Sequence, residues 1–206
     1  LRGYMDKYLC KVQLAEELTH CLGMRMKIIE DGIEIDQCEM IESIYQDYKK
    51  YIPVGYKKPK TPMSPSRKCD PFEDAPRTQL ERDIMNKLNF RSFLQRLMQV
   101  TTQLDCKHAL GMVSRNQIKP GLVNWLDLIR IMVYMYENRH RKRTMKRVTD
   151  KPELKAWSDS DWAGCLETSK STGGGIITWG GMVIDVYSKR QTVISRSSTE
   201  AELYAM

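Results

Sequence analysis

The sequence predicts an α+β fold in which a helical segment leads into a three-stranded antiparallel meander and a closing helix. Three observations predict it. Residues 79–138 carry apolar side chains at helical spacing. From Lys155 onward the period changes to two, with glycines where the strands begin and turn. Ser197-x-x-Glu200 and Thr199-x-x-Glu202 then make two overlapping capping-box patterns, so a helix starts at about Ser198.

The elements follow in order. Residues 7–35 alternate apolar and polar in places, and Arg25 to Ile35 reads as a hairpin around Asp31-Gly32, a strong two-residue turn signal. Asp36 is placed to cap a helix from Gln37 to about Ile52, with Met40, Ile41, Ile44, Tyr45 and Tyr48 at helical spacing. Residues 53–78 hold six of the eight prolines, which predicts a linker or extended strap and no core helix. Beyond it Phe90, Phe93, Leu94 and Leu97 share a face, and residues 104–113 read as a second helix. After a break at Pro120-Gly121, Trp125, Leu128, Ile129 and Met132 mark a third. In the first strand of the meander Lys155, Trp157, Asp159 and Asp161 fall on one side, and Leu154, Ala156 and Ser158 on the other. Thr172 to Trp179 and Met182 to Tyr187 are the next two strands, joined by Gly180-Gly181.

A chain of 206 residues has room for one or two domains, and 41% hydrophobic with 29% charged residues fits a folded protein. Lys and Arg outnumber Asp and Glu by 33 to 26, a net charge of +7. That balance favours polyanionic partners, nucleic acid first, although many soluble domains carry as much charge and bind nothing acidic. The densest basic run spans residues 139–147, six Lys or Arg in nine positions. Arg139, Arg141, Lys142 and Arg143 are its candidate nucleic-acid contacts, against the equal alternative of a solvated connector. No two of the six cysteines stand at CxxC spacing, which argues against a zinc finger and a secreted disulfide scaffold. An intracellular location, cytoplasmic or nuclear, is expected. No apolar run is long enough to span a bilayer, so no membrane partner is expected. The first residue, Leu1, is not Met, and the chain reads as a fragment.

The acidic residues near the C-terminus carry the candidate chemistry. Cleavage or transfer at a phosphodiester needs the charge on attacking and leaving oxygens neutralised, which two divalent cations held by carboxylates achieve. Asp159 and Asp161 share one face of a strand. Glu200 and Glu202 are two apart on a helix and point in different directions, so at most one faces the aspartates. Spacing does not choose between them.

Four ordered segments carry a resemblance: Trp157-Ser158-Asp159-Ser160-Asp161-Trp162-Ala163-Gly164, Lys170-Ser171-Thr172-Gly173-Gly174, Ser188-Lys189-Arg190-Gln191, and Ser197-Ser198-Thr199-Glu200-Ala201-Glu202. Together they resemble the RNase H domain of copia-type LTR retrotransposon Pol polyproteins. Upstream, Cys21-Leu22-Gly23-Met24, Thr61-Pro62-Met63, Val113-Ser114-Arg115 and Lys119-Pro120-Gly121 resemble the same family's segments before that domain. The resemblance implies four regions: residues 1–52, the end of the reverse-transcriptase palm and start of the thumb; 53–78, a Pro-rich strap; 79–150, a helical connection; and 151–206, the amino-terminal part of an RNase H-like domain. It implies that Asp159 and Glu200 are catalytic and ligate magnesium, with Asp161 a neighbour. The implied partners are an RNA–DNA hybrid or other nucleic acid and the remainder of a Pol polyprotein.

The intact family copies RNA into DNA and cuts the RNA strand of the hybrid. The family's further catalytic aspartate would fall beyond Met206, the polymerase Asp-Asp pair is absent, and Cys165 stands where the family has Asp. Arg96, Gln99 and Cys106 replace residues that are small, aromatic or proline in the family, on helices expected to pack. The chain alone is therefore expected to be inactive. The alternatives are a non-enzymatic basic nucleic-acid-binding fragment or a decayed product.

Overall fold

The computed structural model describes residues 19–148, 151–165 and 168–206. The first part of the alternation read in residues 7–35, up to residue 18, lies outside the described residues, as does the start of the region 1–52. Among the described residues the chain forms six α-helices and two antiparallel sheets, one of four strands and one of three.

The first sheet has the order β1 (His20–Cys21), β2 (Met24–Ile29), β3 (Gly32–Asp36) and β4 (Arg143–Lys146). The β2–β3 hairpin turns at Glu30-Asp31, one residue earlier than the sequence suggests, because Ile29 pairs with Gly32. β4 comes from the basic run. It pairs Ile33 with Met145 and Ile35 with Arg143, so the run is a sheet strand and not only a connector.

Helix α1 (Cys38–Tyr48) ends sooner than Ile52, in a tight 3-10 turn over Lys49–Tyr51. Asp36 accepts from the Cys38 N–H at 3.3 Å and also grips Arg25 at 3.1 Å. The residue at the cap position is Gln37, and its buried side chain serves a different purpose. It donates to the Gln99 carbonyl at 3.0 Å and accepts the N–H groups of Thr101 and Thr102 at 2.7 and 3.0 Å. One amide thereby ties the start of α1 to the end of α3.

The helical core is built from α2 (Gln79–Lys87), α3 (Phe90–Met98), α4 (Lys107–Ser114) and α5 (Leu122–Glu137), with α1 packed beside α5. Thr78 and Glu81 close a capping box at α2, each side chain accepting the other's backbone N–H at 3.2 Å. All four apolar residues read on one face of α3 are buried, and Leu128, Ile129, Ile131, Met132 and Met135 of α5 are fully so. Burying each such side chain is worth roughly 1.5–3 kcal/mol. Tyr48 stacks on Phe93 with ring centroids 3.8 Å apart, and Tyr45 stacks on Tyr136 at 3.7 Å.

The three residues that depart from the family pattern do not disrupt this packing. Arg96 stays at the rim, bonded to Asp47 at 2.5 Å, and Gln99 is exposed. Cys106 is fully buried as a small apolar side chain.

Residues 53–78 contain no helix or strand, yet they are docked along their second half. The Arg67 guanidinium bridges Asp74 at 2.5 Å and Asp127 of α5 at 2.9 Å, all three side chains being largely shielded from water. Asp74 Oδ2 also accepts from Asn116 and Asn124, each at 2.8 Å. Gly121 lets this strap approach: a Cβ there would sit 1.8 Å from the Asp74 carbonyl oxygen.

The second sheet is the expected meander of β5 (Leu154–Asp161), β6 (Thr172–Trp179) and β7 (Met182–Arg190). Gly180 and Gly181 both take positive φ, 55° and 81°, as the two-residue hairpin turn requires. β7 runs three residues beyond Tyr187 because its end pairs with the start of β6, Arg190 opposite Thr172. Helix α6 (Ser198–Ala205) covers one face. The Tyr187 hydroxyl donates to the Ala205 carbonyl at 2.6 Å, and Gln191 Nε2 to the Ala201 carbonyl at 2.7 Å. On the other face α4 meets β7, with His108 Nδ1 2.8 Å from the Ser188 hydroxyl.

Replacing Arg67 with Met would leave two shielded carboxylates without a cation. Stability in urea should fall by about 3–5 kcal/mol, and a loss below about 1 kcal/mol would show that this bridge does not anchor the strap.

Candidate functional site

Asp159 and Asp161 lie at the end of β5, an edge strand among the described residues. Both are exposed. Alternation puts them on the face that carries Gly174 and Ser188, opposite Asp159 in the register, and Thr172, opposite Asp161. The turn after β5 is held by two bonds. The Ala163 N–H donates to the buried Ser171 hydroxyl at 3.1 Å, and Trp162 Nε1 donates to the Ser195 carbonyl at 3.1 Å.

The opposite wall of this cleft, about 550 Å³, is supplied by the strap and α4: Arg67, Lys68, His108 and Arg115. Arg115 Nη2 donates to the Thr172 hydroxyl at 3.0 Å, which fixes the guanidinium against the sheet. Burial pushes the His108 imidazole below its usual range, Arg115 adds to that, and Asp161 opposes it. Burial and the like charge of Arg190 push the Arg115 guanidinium down. The cleft thus joins two carboxylates to a set of cationic and neutral donors. His108, Lys68 and Arg115 were not singled out as site residues, because only the packing of α4 and the strap on the sheet brings them there.

The two glutamates of α6 are used differently. Glu200 folds back on the helix start: its carboxylate accepts the Arg196 N–H at 2.6 Å, while its own N–H donates to the Ser197 hydroxyl at 3.1 Å. Glu202 reaches β5, where Oε1 accepts from the Ser160 N–H at 3.1 Å and from the Ser160 hydroxyl at 2.9 Å. The glutamate in contact with the Asp159 strand is therefore Glu202 and not Glu200. Because Ser160 alternates with Asp159 and Asp161, its side chain lies on the α6 face and theirs on the α4 face. Among the described residues no three His, Cys, Asp or Glu side chains gather into a group able to hold a metal ion.

The basic run is engaged inside the fold. Arg139 pairs with Glu42 at 2.9 Å, Arg141 with Asp105 at 3.0 Å and Lys142 with Glu34 at 2.8 Å. Arg143 donates to the Val183 carbonyl at 2.8 Å. These four residues stitch β4 to α1, to the turn before α4 and to β7, so they do not form an unpaired basic stripe. Cys38, Cys69 and Cys106 offer no ready nucleophile. Burial pushes Cys69 up to about 12 and raises Cys106 and Cys38 as well. No helix among the described residues is long and apolar enough to cross a membrane.

No family model matches the chain, and no solved structure matches it. Curated proteins do. The retrovirus-related Pol polyprotein from transposon RE1 of Arabidopsis thaliana is 29% identical over 189 residues, covering 91% of this chain and 12% of that protein. The Pol polyprotein from transposon TNT 1-94 of Nicotiana tabacum is 34% identical over 135 residues, 63% of this chain and 10% of that protein. An uncharacterized mitochondrial protein of Arabidopsis thaliana is 34% identical over 119 residues, 57% of this chain and 49% of that protein. The chain thus spans about half the length of the mitochondrial relative and a small part of each polyprotein. Two of these relatives define a class, the polyproteins of transposable elements. Over most of its length the chain is homologous to Pol polyproteins from copia-type transposons.

Two outcomes test this geometry. In Glu202→Ala, hydrogen exchange at the Ser160 amide should rise roughly tenfold, the equivalent of about 1.4 kcal/mol. Glu200→Ala should leave that amide unchanged, and the reverse pattern would exchange the two roles. The second outcome concerns acid. Asp185 is held below the usual carboxylate range by its bond from Lys107, then by the Val186 N–H. A depressed carboxylate stabilises the fold above its unfolded value, near 4, and that stabilisation is lost as pH falls through the folded value. Asp185→Asn should remove this part of the acid sensitivity of the α4–β7 contact, read by amide exchange along β7.

Proposed function

We propose that this chain is the connection and the first part of an RNase H-like nuclease within a copia-type Pol polyprotein. In the whole polyprotein it would serve RNA-directed DNA synthesis and the metal-dependent cleavage of RNA in RNA–DNA hybrids. The observation that carries the reading is the exposed Asp159 at the end of β5, in a chain that aligns over 91% of its length with the Pol polyprotein of transposon RE1. The meander backed by α6, with a glutamate of that helix bonded to the aspartate strand, supports it further.

Magnesium is the cofactor expected for this chemistry, and it would supply charge neutralisation at the cleaved phosphate. The residues described do not by themselves fit a two-ion site. Asp159 and Asp161 face the cleft, while Glu200, the expected partner ligand, accepts the Arg196 N–H and Glu202 is committed to Ser160 on the other face. A hard cation needs more oxygen donors than one face provides, so the chain alone would hold magnesium poorly. What its own residues do is position substrate. Lys68 and Arg115 attract phosphate, His108 and Ser188 offer donors or acceptors near it, and the aspartates mark where the backbone must lie.

The test uses a labelled RNA–DNA hybrid with magnesium. The purified chain should give no cleavage that depends on Asp159, and Asp159-dependent product would overturn the proposed inactivity. In a longer Pol polypeptide that contains this chain, Asp159→Asn should abolish cleavage of the hybrid. Full cleavage by that variant would remove the nuclease reading.

A further inference from the structure

A second cleft lies beside the first and has a different chemistry. It has a volume of about 840 Å³ and runs between the strap, the loop that follows α4, and the end of β7. Four cations line it: Arg77, Arg115, Lys119 and Arg190. Among the described residues no carboxylate lines it, and none of the four takes part in a salt bridge. That sets them apart from the basic run, whose Arg139, Arg141 and Lys142 all have carboxylate partners.

Two of the cations are held close, and among the described residues their side-chain hydrogen bonds go to neutral groups. Arg115 donates to Thr172, and Arg190 Nη1 lies 3.8 Å from Cys165 Sγ. Like charges kept together in a partly buried cleft raise its affinity for an anion, and Arg190 does depress the Arg115 guanidinium. The polar lining is also unfinished. Asn116 is 2% exposed and spends Nδ2 on Asp74, which leaves Oδ1 with no hydrogen-bond partner. Among the described residues Thr168 Oγ1, also on the lining, has none either. On the lip, Phe72 is 79% exposed, a large apolar ring left uncovered by the described residues.

We propose that this cleft binds a polynucleotide strand, its phosphates on Arg77, Lys119, Arg190 and Arg115 and one base stacked on Phe72. Cations without carboxylates next to an exposed aromatic ring are the combination that holds a single strand without reading its sequence. Arg115 lines both clefts, so a strand lying here continues toward Asp159 and Asp161. The assignment rests on the nucleic-acid partner of the proposed function but does not need metal or cleavage.

Binding of a labelled single-stranded oligonucleotide to the purified chain, followed by fluorescence anisotropy in EDTA across a salt series, tests it. The slope of log affinity against log salt should shrink by about 0.7 for each phosphate left without its cation in Lys119→Gln and Arg190→Gln. Phe72→Ala should weaken binding with the slope unchanged, and Arg141→Gln should alter neither. Lys119→Gln removes no side-chain hydrogen bond or ion pair seen among the described residues, so it remains informative if Arg190→Gln unfolds. Unchanged slopes in Lys119→Gln, or a smaller slope in Arg141→Gln instead, would overturn the site. Inorganic phosphate in a parallel thermal melt separates a small-anion site from a strand site. A melt raised by phosphate with no oligonucleotide bound would overturn the polynucleotide assignment. Because no metal is present, failure of hybrid cleavage and failure of this binding are independent results.

Discussion

The bridge that Arg67 makes between Asp74 and Asp127 sets the position of much else. Taking three charges out of water is costly, and the arrangement holds because the guanidinium meets both carboxylates in one geometry. Asp127 shows the tension: burial raises it, and Arg67 opposes that rise. The consequence is mechanical. Asp74 carries the strap and also receives Asn116 and Asn124, so the strap, the loop after α4 and the start of α5 share one anchor. Arg115 is the neighbour of Asn116 and reaches from that anchor to Thr172 on the sheet. A shift of the strap would therefore be felt at the wall of both clefts.

The meander depends on its neighbours more than the helices do. Most of β5 is exposed, and much of what the region buries is small or polar: Ser171, Gln191, Ser195, Ala201 and Ala205. Its contact with the helical part is made largely by polar bonds: Lys107 to Asp185, His108 with Ser188, Arg115 to Thr172 and Arg143 to the Val183 carbonyl. Hydrogen bonds of this kind contribute about 1 kcal/mol each, and the exposed Lys107–Asp185 pair responds to pH and salt. Position of the aspartate strand relative to α4 is thus an electrostatic matter, whereas the helical core is fixed by apolar burial.

The sequence shows what is local. The helical faces of α3 and α5, the six prolines of the strap, the Gly180-Gly181 turn and the start of α6 are each written within a few residues, because period, turn chemistry and capping act over that range. What it does not show is what the chain does to itself at a distance. The basic run reads as free charge, yet its partners Glu34, Glu42 and Asp105 lie some 36 to 108 positions away. The β3–β4 pairing and the docking of the strap are hidden for the same reason. Glu200 against Glu202 is a finer case. Both sit in capping-box patterns, and the choice depends on the rotation of α6 over β5, which no local rule contains.

That rotation bears on how charge is divided across the sheet. Glu202 places its carboxylate at the open edge of β5, where the Ser160 N–H would otherwise lack a partner. The acceptor satisfies an edge donor and holds α6 against the strand, so a structural bond and an acidic side chain near Asp159 are the same group. On the opposite face the aspartates look across to cations that arrive from residues 67, 68 and 115. A polyanion entering there meets attraction from the α4 wall and repulsion from the strand end. Its phosphates are thereby kept toward Arg115 until something neutralises the aspartates. In the function proposed, strand capture would thus belong to the helical part and the strap, and any reaction at Asp159 would require added positive charge.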